Sequence, residues 1–344
     1  MTWRENFLRA ALFQGPEWIP CGVDISPMTA VRMRGDLERM VRDHPRIFPE
    51  PGAVTLDYDH GMPPAYRAGD LFTDRWGCVW STMIDGLEGQ VVGHPLESWD
   101  ALDQWRPPDP SRETERGSRD WAEERARMEE RRRAGLLTHG SAERLFDRLY
   151  FLRGFENLMM DFATGSAQLE RLIEILAEYE SRLVELWTDV GVDLISFHTD
   201  IGTQNGLMIS PETFRARIKP MFTTLFQRCR RAGSVVYLSS DGRLLEIVDD
   251  LVECGVNIHD PQLRANTLKG ISRAYRGKLC ARVDLDRQGF PFATPAALRD
   301  QVKAVVEELG DPQGGLMVLA AVYGEIPAST LAALCEAMED FCFP

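Results

Sequence analysis

Residues 198–204 read His-Thr-Asp-Ile-Gly-Thr-Gln. The imidazole of His198 and the carboxylate of Asp200 follow an apolar run (Val192, Leu194, Ile195, Phe197), which places them at the C-terminal tip of a buried strand. Side chains of this kind at a strand mouth are where α/β enzymes place their chemistry. The arrangement recurs along the chain. Short apolar runs end at His139; at Ser239, Ser240 and Asp241; at His259, Asp260 and Gln262, with Arg264 close behind; at Asp284 and Asp286, just after Arg282; and at Tyr323. Each has a plain structural alternative. His198 suits a core histidine, Asp241 before Gly242 suits a turn or cap, and Asp260-Pro261 suits turn initiation. Polar groups at the end of strand after strand favour a shared site.

Two chemistries suit this set. Histidines together with carboxylates can hold a divalent metal, zinc or another, although no compact signature such as H-E-x-x-H is present. Alternatively, carboxylates and imidazoles move protons without a metal. Asp200 or Asp241 is then the acid or base, with His198 and Tyr323 beside them, and Arg264 or Arg282 fixes an anionic substrate. His139, Ser239, Gln262 and Asp284 complete the expected substrate-binding ring. Asp74-Arg75-Trp76-Gly77-Cys78-Val79-Trp80 sets two tryptophans around a glycine. With Asp74, the rings of Trp76 and Trp80 are expected to line a pocket for a flat or apolar ligand, although tryptophan most often means packing.

The elements that must position these residues alternate from about residue 136 onward. Strands are predicted at 136–140, 192–197, 234–238, 256–258, 279–283 and 316–322, and helices at 166–190, 211–232, 244–253, 294–309 and 328–342. Ser210 before Pro211 reads as an N-cap followed by proline at the first helical position. Apolar strands separated by capped helices imply parallel pairing. No G-x-G-x-x-G follows the first strand and no G-x-x-x-x-G-K-[ST] occurs, so a dinucleotide-binding or P-loop sheet is disfavoured. The expected fold is a distorted (β/α)8 TIM-type barrel in one domain over 1–344. Residues 19–25 supply its first strand, and 45–135 form an irregular and helical insertion over the C-terminal mouth. The Arg- and Glu-rich stretch 112–133 reads as a solvated helix with i,i+4 charge pairs.

The chain has 344 residues, 44% of them hydrophobic, enough for a large core. Its formal net charge of -14 argues against nucleic acid or an anionic membrane as partner. No membrane-spanning stretch or secretory segment is apparent, so a cytoplasmic protein is expected. Seven scattered cysteines without a C-x-x-C pair read as free, mostly buried thiols. Cys21, Cys78 and Cys280 are the ones near candidate site segments.

With these residues in view, the chain resembles the uroporphyrinogen decarboxylase superfamily, most strongly over 145–325. The resemblance rests on G-V-D-L-I-S-F-H-T-D-I-G-T-Q at 191–204, on M-I-S-P-E-T-F at 208–214 followed by Lys219-Pro220, and on Ser239-Ser240-Asp241-Gly242. Asp-x-Trp-Gly at 74–77 is similar to members of the methyltransferase-like branch. The resemblance implies a distorted barrel with its site at the strand C-termini, a homodimer, and one of two chemistries. These are cofactor-free decarboxylation of a tetrapyrrole, or zinc-assisted methyl transfer to or from a corrinoid protein. Two family motifs are missing. The decarboxylase's R-Q-A-G-R stretch is replaced around Cys21–Pro27, and the H-x-C-G of the zinc methyltransferases is replaced by Ser239–Gly242. A thiolate-rich zinc site is therefore not expected, and an oxygen-rich one would use His198, Asp241 and His259. The leading expectation is corrinoid-linked demethylation of a small molecule. The alternatives are a metal-free decarboxylase or lyase and a ligand-binding barrel that has lost its chemistry.

Overall fold

The structure, a computed structural model, describes residues 1–49, 63–69, 71–114, 117–324 and 326–344. The insertion expected over 45–135 therefore lies partly outside the described residues, at 50–62, 70, 115 and 116. The chain divides into two compact units, one of residues 1–62, 84–87 and 258–344, the other of 63–83 and 88–257.

The strands that alternate with helices are numbered here β1 (Cys21–Ile25), β2 (His139–Arg144), β3 (Leu194–His198), β4 (Val235–Ser239), β5 (Ile258–His259), β6 (Cys280–Asp284) and β7 (Leu316–Val322). In the first unit β1 pairs with β7, β7 with β6, and β6 with β5, all parallel, with Cys21 opposite Val318, Ala281 opposite Leu316 and Ile258 opposite Cys280. In the second unit β2, β3 and β4 pair in that order, also parallel, with His139 opposite Leu194 and Leu194 opposite Val235. The α/β class with parallel strands is thus as expected. All seven residues of β7 are buried, the pattern of a parallel strand covered on both faces.

The helices follow local signals. Ser210 Oγ accepts the backbone N–H of Thr213 at 3.1 Å, and Thr294 Oγ1 accepts that of Ala297 at 3.2 Å ahead of Pro295–Leu309. The helix expected at 211–232 is broken into Pro211–Thr213, a π-helical turn Phe214–Ile218, and Lys219–Arg231. Pro220 has no N–H to give the preceding turn, which is where such a bulge is tolerated. Trp121–Arg133 is the charged helix, capped by Asp120, with one buried side chain, Met128. No helix among the described residues is long and apolar enough to cross a membrane.

The second unit also carries a small antiparallel sheet of Leu71–Thr73, Val79–Ser81 and Gln90–Gly93. Around it lies a buried charged cluster. Arg148, fully buried, reaches Asp74 Oδ2 and Glu143 Oε2 at 3.1 Å each, and Arg75 pairs with Glu143. Burial pushes the neighbouring Glu180 carboxyl up to about 8, so it is neutral at pH 7. Two guanidinium groups then face two carboxylates, and the cluster is close to charge-balanced.

Candidate active site

Strand β2 ends where its sequence looks least like a strand end. The apolar pair Leu136-Leu137 precedes it, and the paired segment is the polar His139–Arg144, with Gly140, Ala142 and Glu143 buried. His139 is therefore the first residue of its strand, not the last. It stands at the opposite end from the tip, with Nε2 2.8 Å from Ser196 Oγ. This corrects the expectation of His139 at a strand mouth. The residue at the tip is Arg144, in register with His198, which is in turn in register with Ser239.

Beyond these three tips the chain gathers carboxylates. The backbone N–H of Asp241 donates to Asp200 Oδ1 at 3.0 Å, and the backbone N–H of Asp200 donates to Asp147 Oδ1. Asp147 lies in the first turn of helix Phe146–Arg153 and is 2% exposed. Arg144 Nη1 is 3.5 Å from Asp147 Oδ2, and its Nη2 bonds Glu88 Oε2 at 2.6 Å. Burial, with the negative charge of Asp200 added, pushes the Asp147 carboxyl up to about 7, against the pull of Arg144. Burial also raises the nearby Tyr150 phenol, which stays a neutral O–H donor. The result is an acid, poised near neutral pH, beside the half-exposed Asp200.

Two glycines bring the loops together. A Cβ on Gly242, whose φ is +90°, would stand 2.4 Å from the carbonyl carbon of Gly202. The backbone N–H of Arg243 donates to Thr203 O at 2.8 Å, and that of Thr199 to Ser239 O at 2.9 Å. The loops after β3 and β4 thus touch backbone to backbone, which fixes Asp200 next to Asp241. Of the expected residues, the structure brings together His198, Asp200, Ser239 and Asp241. It adds Asp147, Arg144 and Glu88, which sequence reasoning missed. The signal for Arg144 and Asp147 was present as the alternation of His139–Arg144 followed at once by a helix; nothing local pointed to Glu88.

The tryptophan pocket is corrected. Trp76 is 1% exposed and packs on Trp105 and Tyr179, with the Arg148 guanidinium 4.7 Å from its ring centroid. Trp80 is also buried, edge-on to Phe151, and its Nε1–H donates to Asp74 Oδ2 at 2.9 Å. Asp74 Oδ1 accepts the backbone N–H groups of Trp76 and Cys78, both at 2.9 Å. Asp-x-Trp-Gly is a folding device: a carboxylate that caps a tight turn and neutralises Arg148, with the rings as core. Two large indoles in one short segment are better satisfied by burial than by solvent.

In the other unit, Asp284 at the tip of β6 accepts from Arg287 Nη1 at 3.1 Å. The Arg287 guanidinium lies 5.0 Å from the ring centroid of the exposed Tyr323, which follows β7. Gln262 bridges to Asp284 by a single β-bridge. Arg264 stands 3.6 Å from Asp286, and Arg282 3.6 Å from Asp24. His259 is fully buried, its Nδ1 2.8 Å from Tyr275 Oη, and burial pushes its pKa down to about 3. It is a neutral core histidine. Among the described residues no group of three His, Cys, Asp or Glu side chains is placed to hold a metal ion. The expected donor His259 is enclosed in the core of its own unit, with Nδ1 against Tyr275. All seven cysteines are free and buried. Burial pushes the Cys78 thiol up to about 12 and raises Cys280, and a hydrogen bond with Cys342 together with burial raises Cys21, so none is primed as a nucleophile.

Polar groups at the tips of parallel strands are how α/β folds, barrels and open sheets alike, present a site. The chain belongs to the uroporphyrinogen decarboxylase (URO-D) family, whose sequence profile matches residues 83–341. No curated protein sequence is a significant match. Among solved structures, a methyltransferase from Methanosarcina mazei is similar over 99% of this chain and 99% of its own, at 17% identity and a TM-score of 0.63. That likeness shows a shared fold. A D-psicose 3-epimerase (10% identity, 64% of this chain and 82% of that one, TM-score 0.39) is much more distant. So is a 3-keto-D-glucoside 4-epimerase from E. coli (16%, 64% and 86%, 0.37).

Proposed function

We propose that this protein is an enzyme that removes a methyl group from a small methylated substrate and passes it to a corrinoid protein. The observation that carries the reading is the buried Asp147 carboxyl, which accepts the backbone N–H of Asp200 and faces Arg144 at the tips of β2, β3 and β4. When a methyl group leaves an oxygen or nitrogen, the electron pair of the broken bond stays on that heteroatom, which must gain a proton. The corrinoid partner supplies the nucleophile that accepts the methyl. This chain supplies the proton, from the Asp147–Asp200 pair, and the groups that orient the substrate: His198, Ser239 and Asp241 from the same tips. Arg144 balances the charge left behind when the proton departs. The family membership and the likeness to a methyltransferase support the reading.

The test mixes the purified protein with reduced cobalamin and a panel of methoxylated and methylated-amine compounds and follows the cobalamin spectrum. Conversion to the methylated form with at least one substrate, lost in Asp147→Asn, is expected. No spectral change with any of them counts against methyl transfer. The family description favours a second reading on the same acid, protonation of the carbanion left by loss of CO2. Substrate-dependent CO2 release without a methyl acceptor would select it. A binding protein without chemistry would show neither.

A further inference from the structure

Two buried thiols lie against each other in the unit of residues 1–62, 84–87 and 258–344. Cys21 opens β1, and Cys342 closes helix Ala328–Cys342. The backbone carbonyl of Cys342 accepts the N–H of Ile19 at 2.9 Å, so the chain entering β1 runs past the end of that helix. Two residues further on, the Cys21 thiol hydrogen-bonds the Cys342 thiol. Phe343 then leaves the helix in an extended conformation. Its ring stacks on Trp18, centroids 6.1 Å apart, with the Arg46 guanidinium 5.2 Å away. Other thiols meet oxygen instead. Cys78 Sγ donates to Phe151 O, and Cys254 Sγ contacts Thr223 Oγ1, both at 3.3 Å. Cys335, fully buried, is two turns up the same helix, about 10 Å from Cys342.

We propose that Cys21 and Cys342 form a redox site that a hydroperoxide converts to a disulfide, stapling the start of β1 to the end of helix Ala328–Cys342. Contact comes first. Hydrogen-bonded thiols already hold their sulfurs in touch, and side-chain rotation closes them to the bond length of about 2 Å. The Ile19 to Cys342 backbone bond keeps the two chains adjacent while this happens. Access comes second. In the closed protein, burial and the partner thiol keep Cys21 protonated and inert. The last turn of a helix opens more readily than its middle, and opening exposes both sulfurs to water, where a thiol ionises near pH 8.5. The thiolate attacks one peroxide oxygen and becomes a sulfenic acid, and the other oxygen leaves as water. The second thiol attacks that sulfur, the S–S bond forms, and the sulfenic oxygen leaves as a second water. Two thiols and one hydrogen peroxide thus give one disulfide and two waters, with two electrons passing from sulfur to oxygen. The bridge ties residues far apart in sequence and restricts the unfolded chain, so it stabilises the fold until a thiol reductant opens it. Asp147 and Asp200 belong to the other unit, so this idea and methyl transfer can each fail without the other.

The test treats the folded full-length protein with a small molar excess of hydrogen peroxide, alkylates the remaining thiols in denaturant, and maps unreduced peptides by mass spectrometry. A Cys21–Cys342 cross-linked peptide is expected, with two of the seven thiols lost to alkylation and recovered after dithiothreitol. The oxidised protein should melt about 4–8 °C higher than the reduced one, and dithiothreitol should reverse the shift. Cys342→Ala should abolish both the cross-link and the shift. Cys335→Ala, which removes the thiol two turns away, should keep both. The peptide map of the native sequence decides by itself if Cys342→Ala does not fold. Cys21 and Cys342 that both remain alkylatable after peroxide overturn the proposal. So does a bridge from Cys21 to Cys335, oxidation that stops at sulfinic acid without a cross-link, or a cross-link that leaves the melting temperature unchanged.

Discussion

Replacing Asp147 by Asn tests the acid directly through stability. In the folded protein this carboxyl titrates at about 7, against about 3.9 for an aspartate in an unfolded chain. Between those two values the folded state holds a proton that the unfolded state has lost. Stability therefore falls as pH rises from about 4 to about 7, and above 7 this group adds no further slope. Each whole step in pKa is worth about 1.4 kcal/mol, so the ceiling is about 4 kcal/mol. Relaxation around a buried charge lowers that to an expected 2–3 kcal/mol, roughly, at pH 8. Asparagine keeps the Oδ1 that accepts the Asp200 N–H but cannot ionise. The variant should match the native protein near pH 4–5 and exceed it in stability at pH 8. Urea midpoints at pH 5 and pH 8 for both proteins measure the difference. An unchanged offset at the two pH values, or a variant less stable at pH 8 than at pH 5 relative to native, would refute the raised carboxyl. The same reasoning predicts that turnover depends on the protonated form and declines as pH rises past about 7.

Gly242→Ala should cost most of the activity, because its Cβ would drive the loop after β4 off Gly202 and move Asp241 from Asp200; steady-state kinetics with circular dichroism will show lost turnover in a folded protein. Arg148→Met should lower stability by about 3–5 kcal/mol, since it leaves Asp74 and Glu143 buried with too little positive charge; denaturant melts check this, and a loss under about 1 kcal/mol would contradict the buried cluster. The depressed His259 pKa, from about 6.5 unfolded to about 3 folded, predicts that stability is lost as pH falls through that window, because only the unfolded imidazole takes up a proton. His259→Gln should flatten that acid limb by a few kcal/mol in melts between pH 3 and 7, and an unchanged limb would show that the ring charges in the folded state.

The strands after residue 190 were legible because each is a compact apolar run bounded by glycine or a capping residue, as in Val235–Ser239 before Gly242. Asp200 and Asp241 were legible because carboxylates directly after such runs have few structural uses. Strand β2 was misplaced by several residues. Its polar alternation was outweighed by the neighbouring Leu136-Leu137, and that shift moved His139 from a tip to a strand start and hid Arg144 and Asp147. Trp76 and Trp80 were misread for a different reason. Nothing local distinguishes an indole that lines a pocket from one that closes a core; Arg148, more than sixty residues away, settles it.

By itself the sequence determined the parallel α/β class, the helix caps at Ser210 and Thr294 and the candidate carboxylates after β3 and β4, because periodicity and capping are local physics written in adjacent residues. Only the tertiary structure decided that the Asp147 carboxyl is held above the usual aspartate range. The charge state of Asp147 depends on burial, on Asp200 fifty-three positions further on and on the facing Arg144, and such long-range electrostatics exist only once the chain has folded.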